Sequence, residues 1–184
     1  MIDRRHLLMG LAALPAAAWA DTPLSLLGQP QTHAIMRHAL APGTGDPGNF
    51  ELRECATQRN LSDRGRAQSR RAGEMIRAAG RGPDQVWSSQ WCRCLDTARL
   101  MGLGPVEEEP ALNSFFRNRA AEDTQTRALR ARLDGLAPET TVLMVTHQVN
   151  LTALTGAFPT SGEIFVIRLG GGLEILGSVE TPLA

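Results

Sequence analysis

The chain contains no lysine and no tyrosine. Its 184 residues hold three Cys, three Trp, five Phe and four His, and the formal net charge is zero. A neutral chain has no global basic field to gather nucleic acid, and so few aromatics form no stacking cluster for single strands. No CxxC pattern occurs and His is scarce, so a structural zinc site is excluded. Neither a P-loop, an HExxH helix nor an EF-hand spacing is present. Beyond the first twenty residues nothing approaches the ~18 continuous apolar residues of a membrane helix. The rest is ordinary for one globular domain: 42% apolar and 21% charged residues exclude wholesale disorder. Every side-chain cation other than His is an arginine. Codon bias accounts for the total, but an arginine fork is also the group that reads phosphate or carboxylate in two places at once, so position matters more than number.

Residues 1–20 read as an address. Arg4 and Arg5 make a basic start, residues 7–18 an apolar run too short to span a bilayer, and Ala18-Trp19-Ala20 a small-residue cleavage site before Asp21. This is the pattern of a secretory signal, and the arginine pair also resembles a twin-arginine signal. Removing Asp3, Arg4 and Arg5 leaves 17 Arg against 18 acids. The expectation is one domain over residues 21–184, periplasmic or secreted, with no stable membrane insertion once the signal is gone. In an oxidising compartment Cys55, Cys92 and Cys94 allow at most one bridge. Two readings stay open: Cys55 paired with one of the other two, Cys92 being the pairing carried forward, or three buried thiols.

The hydrophobic pattern predicts strands over 32–36, 85–88, 105–109, 140–146, 163–169 and 173–179. Helices are expected over 62–79, 91–101 and 120–136, and from 150 onward. Residues 39–60 read as a long Pro/Gly/Asn-rich loop. Strands alternating with helices argue for an α/β layered domain with a mainly parallel sheet. Arg37-His38 then follows the first strand, Arg93 opens the helix after the second, and His147 follows the most apolar one. The carboxyl ends of parallel strands form the ligand crevice, so these four residues converge on one edge. Two guanidiniums there suit a phosphoryl dianion, one imidazole can attack phosphorus, and the other can stabilise the transferring oxygens without metal or cofactor.

At these residues the chain resembles the histidine phosphatase superfamily, which includes the cofactor-dependent phosphoglycerate mutases. The strand-Arg-His-Gly opening appears as Ile35-Met36-Arg37-His38-Ala39. Leu-Ser/Thr-x-x-Gly-x-x-Gln appears as Leu61-Ser62-Asp63-Arg64-Gly65-Arg66-Ala67-Gln68. The second arginine motif runs from Ser88-Ser89 through Arg93 to Thr97-Ala98, and the second histidine ends Val142-Leu143-Met144-Val145-Thr146-His147. The resemblance implies a three-layer α/β/α sandwich around a mixed, mostly parallel sheet. It makes His38 the phosphorylated nucleophile, Arg37 and Arg93 phosphoryl ligands, His147 the residue completing the pocket, and Arg59 a further pocket arginine. The implied activity is phosphoester or phosphoamidate hydrolysis through a phosphohistidine. The implied substrate is a phosphorylated small molecule, an envelope glycolipid or a phosphoprotein.

Three positions depart from the family pattern. Ala39 replaces Gly, Ser114 stands where one branch has Glu, and Gln148 follows the second His where another branch has an acid. Gln148 and Asn150 either line the pocket or cap the next helix. The usual proton donor is therefore missing at both addresses. Asp46, Glu54 and the run Glu107, Glu108, Glu109 are the candidates to supply it, unless the substrate's leaving group needs none. A catalytically weak relative that binds phosphorylated ligands or envelope partners without turnover is the alternative reading.

Overall fold

The computed structural model describes residues 22–183; the expected signal over 1–20 lies outside them. Six strands form one sheet: β1 (Thr32–Arg37), β2 (Gln85–Ser88), β3 (Val106–Glu108), β4 (Val142–Thr146), β5 (Ile164–Leu169) and β6 (Leu173–Val179). Their order is β3-β2-β4-β1-β5-β6. The first four run parallel, whereas β5 pairs antiparallel with both β1 and β6. All five residues of β4 are buried, which is why its sequence is an unbroken apolar, partly β-branched run: a strand covered on both faces has no polar side.

Four helices cover the sheet: α1 (Asp63–Ala78), α2 (Cys92–Met101), α3 (Glu122–Asp134) and α4 (Gln148–Thr155). Alternate residues of a strand point to opposite faces. Ala34 and Met36 of β1 therefore pack with Ala72, Met75 and Ile76 of α1 and Ala98 and Met101 of α2. Ile35, between them, packs on the other side with Leu129 and Leu133 of α3 and Leu151 and Leu154 of α4. The result is the expected three-layer sandwich.

Three elements differ from expectation by two residues at an end: β4 begins at Val142 rather than 140, and two helices shift. The expected helix over 120–136 is shorter, because a single tight turn at Arg119–Ala121 precedes it and Gly135 closes it. Helix α4 starts at Gln148 rather than 150, with His147 as its N-terminal cap residue. Cys55 and Cys92 are joined by a disulfide across a sequence separation of 37, their Cα atoms 5.7 Å apart. Closing a loop of that length removes about 4 kcal/mol of chain entropy from the unfolded state.

The segment leaving β1 is held by the Leu-Ser-x-x-Gly-x-x-Gln stretch. Leu61 packs with Ala39 and Ala41. The Ser62 hydroxyl accepts from the Gly65 N–H at 3.1 Å and so caps α1. Gln68 is buried. Its Oε1 accepts the Leu40 N–H at 2.9 Å, while its amide donates to the carbonyls of Ser161 (2.9 Å) and Thr181 (2.8 Å). Gly65 lets the Leu40 carbonyl approach, because a Cβ there would lie 2.1 Å from that oxygen. Gly65→Ala is therefore expected to destabilise the fold by about 1–3 kcal/mol. In urea unfolding this appears as a lower midpoint at unchanged slope; an unchanged midpoint contradicts the close approach.

Candidate active site

The C-terminal ends of β1, β2 and β4 open into a cavity of about 360 Å³. Arg37, His38, Asp46, Arg59, Arg93, His147 and Gln148 all line it. The fold therefore brings together residues spread over more than a hundred positions of sequence.

His38 is 2% exposed. Its backbone N–H donates to the Thr146 carbonyl at 2.9 Å, which carries the β1–β4 pairing one residue past the strand. Its Nδ1 lies 2.8 Å from the Ala39 carbonyl oxygen. A carbonyl only accepts, so Nδ1 carries the proton and Nε2 keeps its lone pair. Burial, and then the Arg93 guanidinium, hold the imidazole well below the usual histidine range, against the opposing pull of the Ala39 bond. The ring is neutral and nucleophilic at neutral pH.

Ala39 in place of Gly introduces no backbone strain. Among the described non-glycine residues, Gln31 is the one with positive φ. The Ala39 N–H donates to Thr97 Oγ1 at 3.1 Å, so the Thr of the Arg-x-x-x-Thr stretch fixes the peptide on which His38 rests.

His147 is joined to Ser89, which sequence reasoning passed over. Nε2 of His147 lies 2.8 Å from Ser89 Oγ, and that hydroxyl in turn donates to Asn113 Oδ1 at 3.2 Å. Arg93 Nη2 donates to Nδ1 of His147 at 3.3 Å. Burial and then Arg93 again lower the His147 pKa well below the ordinary value. The two imidazoles meet edge to face, with centroids 5.5 Å apart. Behind them Cys94 is a buried free thiol that burial pushes up to about 12, so it takes no part as a thiolate.

Three guanidiniums face His38, and each is anchored differently. Arg37 donates to the Pro159 carbonyl at 3.0 Å. Arg59 donates to the carbonyls of Gly45 and Ala41. Arg93, with its side chain 3% exposed, grips Asp46 in a fork: Nη1 to Oδ1 at 2.6 Å and Nη2 to Oδ2 at 3.1 Å. Asp46 also accepts from the Arg59 N–H (3.1 Å) and the Trp91 indole N–H (3.1 Å). Burial alone raises the Asp46 pKa; the hydrogen bonds and charge of Arg93, with those from Arg59 and Trp91, outweigh it and hold the carboxyl below its usual range. Asp46 is thus a fixed anion among the arginines, and its proton is gone at neutral pH.

The other donor candidates fall elsewhere. Glu54 is exposed and lies outside the cavity lining. Glu109 is buried, but its carboxylate caps the tight turn Pro110–Leu112 by accepting the Ala111 N–H at 2.8 Å and pairs with Arg132. Glu107 pairs with that same Arg132, and Glu108 bonds the Gln90 amide. A run of three acids on a strand and its exit reads alike in sequence whether it serves a cavity or a turn. Ser114 lines the cavity, and Gln148 lines it from the first turn of α4, while Asn150 is buried and donates to the Asn113 carbonyl at 2.8 Å. The aromatic lining by Phe50, Trp91 and Phe116 was also missed, for no motif links three rings so far apart.

The family model of the histidine phosphatase superfamily (branch 1) matches residues 35–116. That stretch, a little under half of the chain, is similar to the family. It spans Arg37-His38, the α1 motif and Arg93, and stops short of His147. The fold agrees. A protein histidine phosphatase, SixA, solved with tungstate, superposes with a TM-score of 0.60 at 19% identity, covering 82% of this chain and 97% of that one. The open reading frame Rv3214 of Mycobacterium tuberculosis gives 0.60 at 18% identity, over 83% and 98%. A phosphoserine phosphatase variant of Entamoeba histolytica, solved with phosphoserine, gives 0.60 at 13% identity, over 80% and 95%. No curated protein matches the chain in sequence. The family match supports a phosphatase hydrolase, set on the histidine phosphatase fold.

Asp46→Ala removes the counter-charge of a buried guanidinium and is expected to cost about 3 kcal/mol of stability. It also clears the fork of Arg93. Inorganic phosphate should therefore raise the melting temperature of this variant more than that of the parent chain. Equal shifts would mean that Asp46 and phosphate do not share Arg93.

Proposed function

We propose that the chain is a phosphatase that hydrolyses a phosphomonoester or phosphoamidate through a phosphohistidine on His38. The supporting observation is the His38 lone pair: Nδ1–H is tied to the Ala39 carbonyl, so Nε2 is neutral, oriented and surrounded by Arg37, Arg59 and Arg93. In the first step Nε2 attacks phosphorus, and the bond to the leaving group breaks with its electron pair going to that group. In the second step water attacks phosphorus, the N–P bond breaks, and inorganic phosphate leaves. The guanidiniums neutralise the equatorial oxygens, so the charge is met by the protein. His147, held neutral by burial and by Arg93, keeps its Nδ1 against Arg93 Nη2 and its Nε2 against Ser89, and so positions that guanidinium beside the transferring oxygens.

The site offers the leaving group no carboxylic acid, since Asp46 is held ionised and Ser114 and Gln148 stand at the family's acid positions. Substrates whose leaving group departs as a weak base are favoured: acyl phosphates, aryl phosphates and, among phosphoamidates, N-phosphoimidazoles already protonated on the distal ring nitrogen. The same absence, with the Arg93 fork engaged by Asp46, is what favours the second reading, a relative that binds phosphorylated ligands or envelope partners without turnover.

The deciding test is turnover of p-nitrophenyl phosphate by residues 21–184 in EDTA, beside His38→Ala. Turnover is expected in the parent and lost in the variant, and should persist below pH 6.5 because the nucleophile is already deprotonated there. Alkyl phosphates should react about 10²–10⁴-fold more slowly, the usual worth of general-acid help. Phosphate binding by the folded chain without any turnover would establish the second reading instead. For location we propose export to the periplasm, supported by the pattern of residues 1–20 alone. Intact-mass analysis of the exported protein should give a chain beginning at Asp21; a full-length cytoplasmic product would overturn this.

A further inference from the structure

We propose that the outer half of the cavity is a leaving-group subsite for a planar, unsaturated group that carries a second anion. The inference rests on the phosphatase reading and names the substrate class of that same site. Aromatic surface begins at the catalytic imidazole and runs outward. Trp91 meets His147 edge to face at 5.2 Å and 77°, and Phe50 stacks on Trp91 at 5.0 Å and 22°. The indole is held in place by its bond to Asp46 at 3.1 Å. Phe116 comes from another segment and remains 48% exposed. It reaches across to the first loop, where its Cε1 lies 3.9 Å from a Cβ position on Gly45. A flat group leaving His38 toward solvent would be covered by these rings, and Phe116 would lose its contact with water.

Charge at the mouth points the same way. Five arginines and one carboxylate line the cavity. Arg37, Arg59 and Arg93 serve the phosphoryl group, which leaves Arg117 and Arg119 outside it. Arg117 spans the rim by donating to the carbonyls of Asp46 and Pro47. The Arg119 guanidinium sits 5.6 Å from the Phe116 ring centroid and faces Glu122 only loosely, at 3.8 Å. A second negative group on the far side of a ring would meet these two cations. An unsaturated ring also stabilises the electron pair it takes from phosphorus, so a leaving phenolic or enolic oxygen takes its proton from water after departure. The missing acid and the aromatic mouth therefore select the same chemistry by independent routes.

The test is calorimetric binding of four non-hydrolysed probes: inorganic phosphate, methylphosphonate, phenylphosphonate and 4-carboxyphenylphosphonate. Phenylphosphonate should bind about tenfold more tightly than methylphosphonate. The carboxylate should add about threefold more, and that increment should fade as ionic strength rises to about 1 M. Phe116→Ala should collapse the phenyl-to-methyl ratio, and Arg119→Gln the ratio of carboxyphenyl to phenyl. Phosphate binding with equal affinities for the methyl and phenyl probes overturns the subsite and leaves the phosphatase reading standing. Unaltered ratios in both variants also overturn it. Failure of phosphate itself to bind overturns both.

Discussion

The fork between Arg93 and Asp46 is the interaction on which the site depends. Three guanidiniums gathered around one imidazole repel each other, and in a half-buried cavity that repulsion is only weakly screened. Asp46 supplies the one negative charge among the lining residues. Its two oxygens accept from Arg93, the Arg59 backbone and Trp91, so one carboxylate ties the first loop to the start of α2 and orients an aromatic wall as well. A buried ion pair of this kind owes little net stability to attraction, because desolvation offsets it; its effect is to fix a geometry that no apolar contact would specify.

The convergence of His38, Arg93 and His147 was legible because each closes a strand or opens the next helix, and parallel topology sends all such junctions to one edge. Sequence does not show what a loop residue faces. Asp46 sits between Gly45 and Pro47 and reads as a turn former, although it is the best-bonded carboxylate of the site. Glu109 reads as a proton donor because it ends an acidic run, but the chain turns there and its carboxylate is used for the turn. Ser89 and Asn113 were invisible as a relay, since their roles arise only once β2 and the segment after β3 lie side by side. Phe50, Trp91 and Phe116 carried no signal for the same reason.

The motif residues divide into two kinds of work. Arg37, His38, Arg93 and His147 face the cavity. Leu61, Ser62, Gly65, Gln68 and Thr97 never do: they hold the peptide after His38 by packing, capping and hydrogen bonds. The leaving-group side is built mostly from the loops and tight turns around Phe50, Trp91 and Phe116–Arg119. Solved structures at 13–19% identity share the layered fold.

The cysteines carry a consequence for the order of folding. Cys92 and Cys94 are two residues apart on α2, so the helix turns them about 200° from each other. Once α2 has formed, Cys92 looks toward Cys55 in the first loop and Cys94 is sealed against β4, where its thiol is unreactive. Before α2 has formed, nothing distinguishes the two sulfurs. The native pairing is therefore chosen by secondary structure rather than by the cysteines themselves, and oxidation that outruns the helix can trap Cys94 in a bridge that drags a core residue out of place.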